Sequence, residues 1–307
     1  MTMPQDPSTL VVASPESPAA TGGEINIEAA SRFRLVLRRF LRRRSAVVGL
    51  VVVLLLFALA YLSPYLYPWK YNQLDFQSFQ EAPSARHWFG TYQTGGDVFA
   101  LTMRGTQKSL VIGLLAAVIS TGIAAVVGAF AGYFGSWLDR FLLSWIDLLL
   151  VLPGFLIIAI LSPLFRGQTW LIFVLLLAAF AWMVTSRVVR GLTLSLKERE
   201  FVLAAQYMGV PGWKIIFRHI LPNMASLLII DATINVSGII LAEVGLSYFG
   251  FGVQPPDVSL GTLLSDGTPA ALPFPWQFYF AAGVLLVLVL AVNVVGDGLR
   301  DALDPNS

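Results

Sequence analysis

The chain has 307 residues, of which 56% are hydrophobic and only 12% are charged, and its mean hydropathy is +0.73. A soluble domain carries about 25% charged residues, so most of this chain is not a water-exposed globular domain. The net charge of +2 is too small to favour a nucleic-acid partner. The absence of cysteine excludes disulfides and thiolate metal sites, and His87 and His219 lie in separate regions. We expect no metal and no cofactor on this chain.

The N-terminal region divides into two segments. Residues 1–31 are rich in Pro, Ser, Ala and Thr, have no apolar face, and predict a disordered cytoplasmic tail. Seven arginines between Arg32 and Arg44 are interleaved with Phe, Leu and Val, and predict a basic amphipathic helix over 32–45. Such a helix is a topogenic signal, or it lies along the anionic cytoplasmic leaflet of a lipid membrane.

Six apolar blocks follow, each long enough to cross a bilayer, which takes about 20 helical residues. A polar, aromatic and Gly-rich extracytoplasmic segment, 67–106, separates the first block from a five-helix core over 107–299. Its secondary structure, a β-hairpin or a short helix, is left open. A further extracytoplasmic loop is predicted at 251–275 and a cytoplasmic tail at 300–307. The predicted transmembrane helices are 46–66, 107–133, 139–165, 169–190, 223–250 and 276–298.

The basic residues predict the orientation of these spans. With the N-terminus in the cytoplasm, 15 of the 20 Lys and Arg residues lie on the inside and five on the outside. This bias follows the positive-inside rule. Both termini are therefore predicted to be cytoplasmic, in a multi-pass inner-membrane protein.

Residues 190–223 lie between the fourth and fifth spans and have the local chemistry of a helical hairpin. Ser195 and Glu198 have the spacing of a capping box at a helix start. Gly209 stands where a helix C-cap needs a left-handed conformation, and Pro211 where a first-turn proline is tolerated. The hairpin contains apolar residues that either form a docking surface for a partner or pack on the protein's own helices. These residues are Phe201, Val202, Tyr207, Met208, Trp213 and Ile216.

The hairpin sequence resembles the EAA loop of ABC importer permeases, and more closely the C-type permeases of dipeptide, oligopeptide and nickel importers. The resemblance covers nearly all of the chain after residue 32. The strings that carry it are REFVLAAQYMG from Arg199, FRHILPN from Phe217, WFGT from Trp88, GDVF from Gly96, LAE from Leu241, LSYFGFGVQPP from Leu246 and GDGLRDALDP from Gly296.

The resemblance implies an all-α integral membrane protein with the six transmembrane helices of the type I importer (MetI-like) fold. It also implies that the hairpin contacts an ATPase subunit. The implied coupling residues are Arg199, Glu200, Ala204, Ala205, Gly209 and Pro211. The sequence departs from the family pattern at Leu203, where the motif has Glu, and at Tyr92 and Gly96, where the peptide branch has Asp and Arg.

The resemblance further implies partners that supply the energy and the substrate. These are a second, B-type permease, two cytoplasmic ATPases and an extracytoplasmic solute-binding protein. The chain contains no Gly-Lys pair, so it lacks a P-loop and is not itself the ATPase. We therefore expect a non-catalytic permease subunit of an importer for di- or oligopeptides. Nickel chelates and other small solutes remain open as substrates.

Polar residues inside the spans are candidates for a transport pathway, because such groups are costly at membrane depth. Asp231 and Asn235 are one helical turn apart and share a face, so they line the pathway or join helices. Glu243 is a third candidate, with a structural or gating role favoured. Asp147 has Arg140 or Arg187 as its possible ion-pair partner. Close helix packing is the expected role of the Gly128 and Gly132 step.

Two other classes of protein fit the sequence less well. A secondary transporter usually has internal repeats and broken helices at the midplane, and no convincing repeat is present. An intramembrane aspartyl protease would need a second catalytic aspartate motif besides Gly296-Asp297-Gly298, and none occurs.

Overall fold

The structure of the protein is a computed structural model, and it describes residues 35–165 and 170–303. Within these ranges all regular secondary structure is helical. The predicted tail over 1–31 lies outside the described residues. The main helices in chain order are α1 (35–42), α2 (Arg44–Leu66), α3 (Val98–Phe134), α4 (Ser136–Val151), α5 (Gly154–Leu161), α6 (Trp170–Lys197), α7 (Glu200–Tyr207), α8 (Gly212–Ile215), α9 (Leu221–Asn223), α10 (Ala225–Tyr248), α11 (Leu260–Gly267) and α12 (Trp276–Leu303).

Five of the described helices are long and apolar enough to cross a membrane: α2, α3, α6, α10 and α12. The third predicted span, 139–165, is instead a bent pair, α4 and α5, with an angle of 78° between the two helices. The bend falls at Leu152-Pro153, where Leu152 is extended with ψ 130°. A residue before proline is disfavoured in the α conformation, and proline has no N–H to continue the helix. The chain therefore has six spans if the bent pair counts as one.

Several helices extend beyond the apolar blocks that predicted them. Helix α3 begins at Val98, inside the segment 67–106, because the Asp97 carboxylate accepts a hydrogen bond from the Ala100 amide at 2.7 Å and caps the helix. Helix α6 continues to Lys197, and α12 continues to Leu303, within the predicted tail 300–307. An apolar block reports only the part of a helix inside the bilayer, so it misses polar ends.

Helices α3 and α6 pack closely at two glycines. A Cβ on Gly128 would lie 2.4 Å from the carbonyl oxygen of Ser186, and a Cβ on Gly132 would lie 2.8 Å from that of Arg190. Only glycine permits this approach of the two backbones. The prediction that this Gly-x-x-x-Gly step serves close helix packing is confirmed.

The segment between α2 and α3 is an ordered, irregular lobe with two isolated β-bridges, Leu74 with Gly96 and Thr91 with Asp97. Its centre is His87, which is fully buried. The His87 ring Nδ1 lies 2.8 Å from an Asp97 oxygen, which also accepts a hydrogen bond from the Tyr67 hydroxyl at 2.8 Å. Neither of the two alternatives left open for this segment, hairpin or helix, describes it.

Candidate coupling hairpin and intramembrane polar clusters

The hairpin between α6 and α10 consists of α7, a tight turn, and α8. The turn is a Schellman motif: the Gly209 amide donates to the Gln206 carbonyl at 2.9 Å, and the Val210 amide donates to the Ala205 carbonyl at 3.1 Å. Gly209 has φ +73°, the left-handed conformation that its position predicts. The predicted helix, turn and helix are therefore present.

The start of the hairpin differs from the prediction. Helix α6 runs through Ser195 to Lys197, so no helix begins at the predicted capping box of Ser195 and Glu198. Helix α7 begins at Glu200 with Arg199 at the N-cap, without a side-chain cap. The S-x-x-E spacing was misread because a serine in the last exposed turn of one helix has the same local sequence as a cap of the next.

After α8 the chain stays helical through a wide π-turn, Ile216–Ile220, and α9. The Leu221 amide donates to the Ile216 carbonyl, five residues back. The reason is Pro222, which has no N–H and whose ring would clash with the carbonyl four residues earlier. The wider turn accommodates the proline and sets the angle at which the hairpin meets α10.

The hairpin has a buried face and an exposed face. Val202, Ala205, Ile215, Ile216 and Ile220 are all at most 1% exposed, and form a core with Tyr133 of α3 and Val189 of α6. The opposite face exposes Tyr207 at 90%, Met208 at 75%, Trp213 at 54% and Phe201 at 40%. Both alternatives for the apolar residues therefore apply: Val202 and Ile216 pack on the protein itself, and the other four face outward.

The hairpin is seated on the end of α3. Gln206 of α7 donates to the Tyr133 hydroxyl at 3.4 Å, and Lys197, the last residue of α6, donates through Nζ to the Tyr133 carbonyl at 2.7 Å. Gly212 lies against the same ring, since a Cβ there would be 2.6 Å from Tyr133 Cε1. The hairpin therefore contacts the end of α3 directly.

The six residues predicted for coupling are distributed over both faces. Arg199, Glu200, Ala204, Gly209 and Pro211 are exposed. Ala205 is 1% exposed and packs against the hairpin core, so in this conformation it is not on the exposed surface. Adjacent residues on a helix are about 100° apart, and the packing of α7 turns Ala205 into the core and leaves Ala204 on the exposed side.

Asp231 of α10 joins three helices. Its carboxylate accepts hydrogen bonds from the hydroxyl of Thr121 on α3 at 3.0 Å, from that of Thr185 on α6 at 2.8 Å, and from the amide of Asn235 at 2.9 Å. Asp231 and Asn235 thus lie on one face, as their spacing predicts, and both are half-buried. The two threonines gave no signal in the sequence, because hydroxyl residues in apolar spans are common.

Glu243, also on α10, is completely buried. One carboxylate oxygen accepts from Ser109 of α3 at 2.8 Å, and the other accepts from Ser247 at 2.6 Å. These serines in turn accept from the backbone amides of Leu260 at 3.2 Å and Val253 at 3.1 Å. Glu243 therefore anchors the loop between α10 and α11, and no part of it reaches a solvent-facing surface.

Ion pairs mark both ends of the bundle. Asp147 pairs with Arg187, one of the two partners expected, and Arg190 holds Asp139 with two hydrogen bonds. At the opposite end, Lys108 lies 2.9 Å from Asp257. Within 35–165 and 170–303, no three or more His, Cys, Asp or Glu residues form a group that could hold a metal ion.

Tyr92 stands where the peptide-branch pattern has an acidic residue. Its side chain makes a buried contact in the structure. Its hydroxyl donates to the Gln277 carbonyl at 3.0 Å, and Gln277 donates to the Thr91 carbonyl at 3.0 Å. Burial raises the pKa of the Tyr92 hydroxyl above its usual range. The lobe is thereby fixed to the start of α12.

Apolar spans with polar side chains buried between them, and an amphipathic hairpin at one end, define a multi-pass membrane protein. The model of the binding-protein-dependent transport system inner membrane component family matches residues 124–307, and that of the N-terminal transmembrane domain of oligopeptide transport permease C matches 31–83. The chain belongs to this family of inner-membrane permeases, whose members are non-catalytic membrane components.

Curated relatives match along almost the whole chain. The oligopeptide transport system permease protein OppC of Mycobacterium tuberculosis is 57% identical over 281 residues, covering 91% of this chain and 97% of the relative. A putative peptide permease protein of Brucella suis is 40% identical, covering 88% and 89%. OppC of Haemophilus influenzae is 38% identical, covering 92% and 91%.

A solved structure confirms the predicted fold. A chain of the inward-facing MetNI methionine ABC transporter aligns with a TM-score of 0.53 at 19% identity, and the alignment covers 66% of this chain and 96% of that one. The expectation of an all-α, MetI-like fold is therefore correct.

Proposed function

We propose that this chain is a permease subunit of an ATP-driven importer for peptides and forms half of the translocation pathway. The observation that carries the proposal is the α7–α8 hairpin, with its four outward apolar side chains and its contacts with Tyr133 of α3. A surface of this kind fits an energy-supplying partner, since the chain has no P-loop of its own. The peptide substrate follows from the names of the OppC relatives.

The importer would contain three further kinds of component. A second, B-type permease completes the pathway, two ATPases dock on the hairpins and hydrolyse ATP, and an extracytoplasmic solute-binding protein delivers the peptide. No cofactor is required on this chain. Both termini and the hairpin lie in the cytoplasm.

The coupling contact is assigned to the exposed side of the hairpin. Ala204 and Gly209 permit close approach of the ATPase, with Arg199, Glu200 and Pro211 at the edge. Ala205 acts from beneath by holding α7 on the core.

The pathway is assigned to the half-buried face of α10. Asp231 and Asn235 lie there at a junction of three helices, where a change in helix packing would expose them to a solute. Glu243 is assigned to the same helix as an anchor of the outer loop, next to the pathway.

Truncating the hairpin's outward side chains tests the assignment to an importer. In the double variant Tyr207→Ala/Met208→Ala, we expect the co-purified ATPase to fall at least tenfold, because truncation of central interface residues costs about 2 kcal/mol or more. ATP-driven uptake of a labelled oligopeptide into proteoliposomes should fall in parallel. Leu272→Ala is the matched control, because Leu272 is equally apolar and 94% exposed but lies outside the hairpin. Equal ATPase recovery from both variants would contradict the proposal.

The absence of native cysteine allows a direct test of orientation. We expect Ser195→Cys to react with a membrane-impermeant maleimide only in inside-out vesicles, and Thr94→Cys only in right-side-out vesicles. Both positions are exposed in the structure, so accessibility depends on the side of the membrane alone. The reverse labelling pattern would invert the proposed topology.

A further inference from the structure

A pocket opens between the lobe and the segment that joins α11 to α12. Its volume is about 640 Å³, within the range of about 300–1,000 Å³ that is usual for ligand sites. Gln93 and Thr94 of the lobe form one wall, and the end of α11 with residues 269–274 forms the other. The pocket lies at the end of the bundle opposite the hairpin, which is the extracytoplasmic end when the hairpin is in the cytoplasm.

Contacts between the two walls fix the shape of this pocket. Besides the bonds of Tyr92 and Gln277 described above, the indole N–H of Trp276 donates to the Thr91 carbonyl at 3.2 Å. At the end of α11, Gly267 lies against the same strand of contacts, since a Cβ there would be 2.6 Å from the Gln277 carbonyl oxygen. The pocket is therefore a built part of the fold, with lobe, α11 and α12 joined behind it.

Asp266 provides the one charged side chain of the pocket lining. Its carboxylate forms no ion pair or hydrogen bond with any residue in 35–165 and 170–303. The Tyr92 hydroxyl is close by, but it donates its hydrogen to the Gln277 carbonyl instead. Partial burial raises the pKa of the Asp266 carboxyl, because no neighbouring cation or donor replaces the lost water. A positively charged group in the pocket would supply the missing partner.

The rest of the lining is neutral and of two kinds. Gln80, Gln93 and Ser265 carry amide and hydroxyl groups, which both donate and accept hydrogen bonds. Pro273 and Phe274 contribute apolar surface. No Lys, Arg or His lines the pocket, so a carboxylate on a ligand would find no counter-ion there. The lining fits a ligand with one cationic end, polar amides and an uncharged side chain.

We propose that this pocket binds the amino-terminal end of a peptide, with the terminal ammonium group beside Asp266. An unblocked peptide carries this cation at pH 7, because an α-amino group has a pKa of about 7.7–8.0. Its backbone amides match the amide and hydroxyl groups of the lining. A lysine from a partner protein would use the carboxylate and leave most of the lining without a contact. The proposal rests on the proposed function as a peptide importer and on its orientation.

The test measures peptide binding to the assembled importer in detergent, without its solute-binding protein. The probes are trialanine and N-acetyl-trialanine, and saturation-transfer NMR titrations give the Kd of each. We expect acetylation to raise the Kd at least tenfold in the wild type, because it removes the charge-assisted hydrogen bond. Asp266→Asn should raise the Kd of trialanine by a similar factor. In that variant acetylation should change the Kd less than twofold, since both changes remove the same interaction.

Two variants control for charge and for shape. Glu81→Gln removes a carboxylate of the lobe that does not line the pocket, and it should bind trialanine as the wild type does. Asp266→Glu keeps the negative charge and should retain the effect of acetylation. If acetylation costs the same factor in the wild type and in Asp266→Asn, the ammonium is not at Asp266. If Asp266→Asn instead weakens the binding of the peptide-free solute-binding protein, the pocket belongs to a basic residue of that protein.

Uptake by the wild type separates this proposal from the proposed function. ATP-driven uptake of labelled trialanine and of a longer oligopeptide is measured in proteoliposomes with the solute-binding protein. Uptake together with binding that is insensitive to acetylation contradicts only the pocket. A wild-type importer that takes up neither peptide contradicts the assignment to peptides, whatever the Asp266 variants show.

Discussion

Replacing Gly209 by valine is expected to uncouple transport from ATP hydrolysis. Gly209 has φ +73°, a conformation that costs an L-residue about 1–2 kcal/mol and is a genuine outlier for a β-branched one. Valine would force the Schellman turn to open and displace the adjacent Tyr207 and Met208. We expect ATP-driven uptake to fall at least tenfold in proteoliposomes while basal ATP hydrolysis stays within about twofold.

Two further variants test whether the backbone conformation at Gly209 causes the loss of uptake. Gly209→Asn should keep most of the uptake, because asparagine tolerates the left-handed region. Gly191→Val, on the neighbouring helix α6, places the same side chain where no atom lies within 4 Å of the new Cβ, and it should transport normally. Undiminished uptake in the Gly209→Val importer would refute the coupling role.

Removing the Glu243 carboxylate is expected to cause a large loss of stability. In Glu243→Ala, Ser109 and Ser247 lose their acceptor in a fully buried site, at about 1–3 kcal/mol each, and a cavity adds to this cost. The unfolding temperature of the purified importer should fall by about 10 °C. A cysteine at Gln254, in the loop that this cluster anchors, should also react faster with maleimide.

The size of the change should follow the number of hydrogen bonds lost. The unfolding temperature should fall less in Glu243→Gln than in Glu243→Ala, because the glutamine amide still accepts from one serine and donates to the other. Thr233→Val is the control on the same helix, since the Thr233 hydroxyl donates only to the Ile229 carbonyl within α10. If Glu243→Ala and Thr233→Val unfold at the same temperature, the cluster does not anchor the loop.

The sequence predicted the parts of the fold that depend on apolar length and on backbone chemistry. Blocks of about 20 apolar residues located the spans, and Gly209 located the turn of the hairpin. The bend between α4 and α5 was missed although Pro153 marks it, because hydropathy continues unchanged across the break. The start of α3 was missed because a polar stretch, 104–109, separates its first turns from the apolar block, and only the Asp97 cap reveals where the helix begins.

The candidate sites were harder to predict, because they depend on which faces of different helices meet. Ala204 and Ala205 are equivalent in the motif, and only the packing of α7 on Tyr133 and Val189 distinguishes the exposed residue from the buried one. Glu243 was identified as unusual from its depth in an apolar block. Its partner Ser109 is 134 residues away in the chain, and no local pattern could have paired them.

The uninterrupted length of α3 has a mechanical consequence. Its 37 residues make a rod about 55 Å long at about 1.5 Å per residue, well beyond the thickness of a hydrocarbon core of about 30 Å. The hairpin rests on one end, Asp231 and Glu243 are attached along its shaft, and Lys108 meets Asp257 near the other end. A rotation of about 5° around the midpoint would displace the two ends by about 2.4 Å in opposite directions. A single rigid-body rotation of α3 would then open the bundle on one side of the membrane and close it on the other.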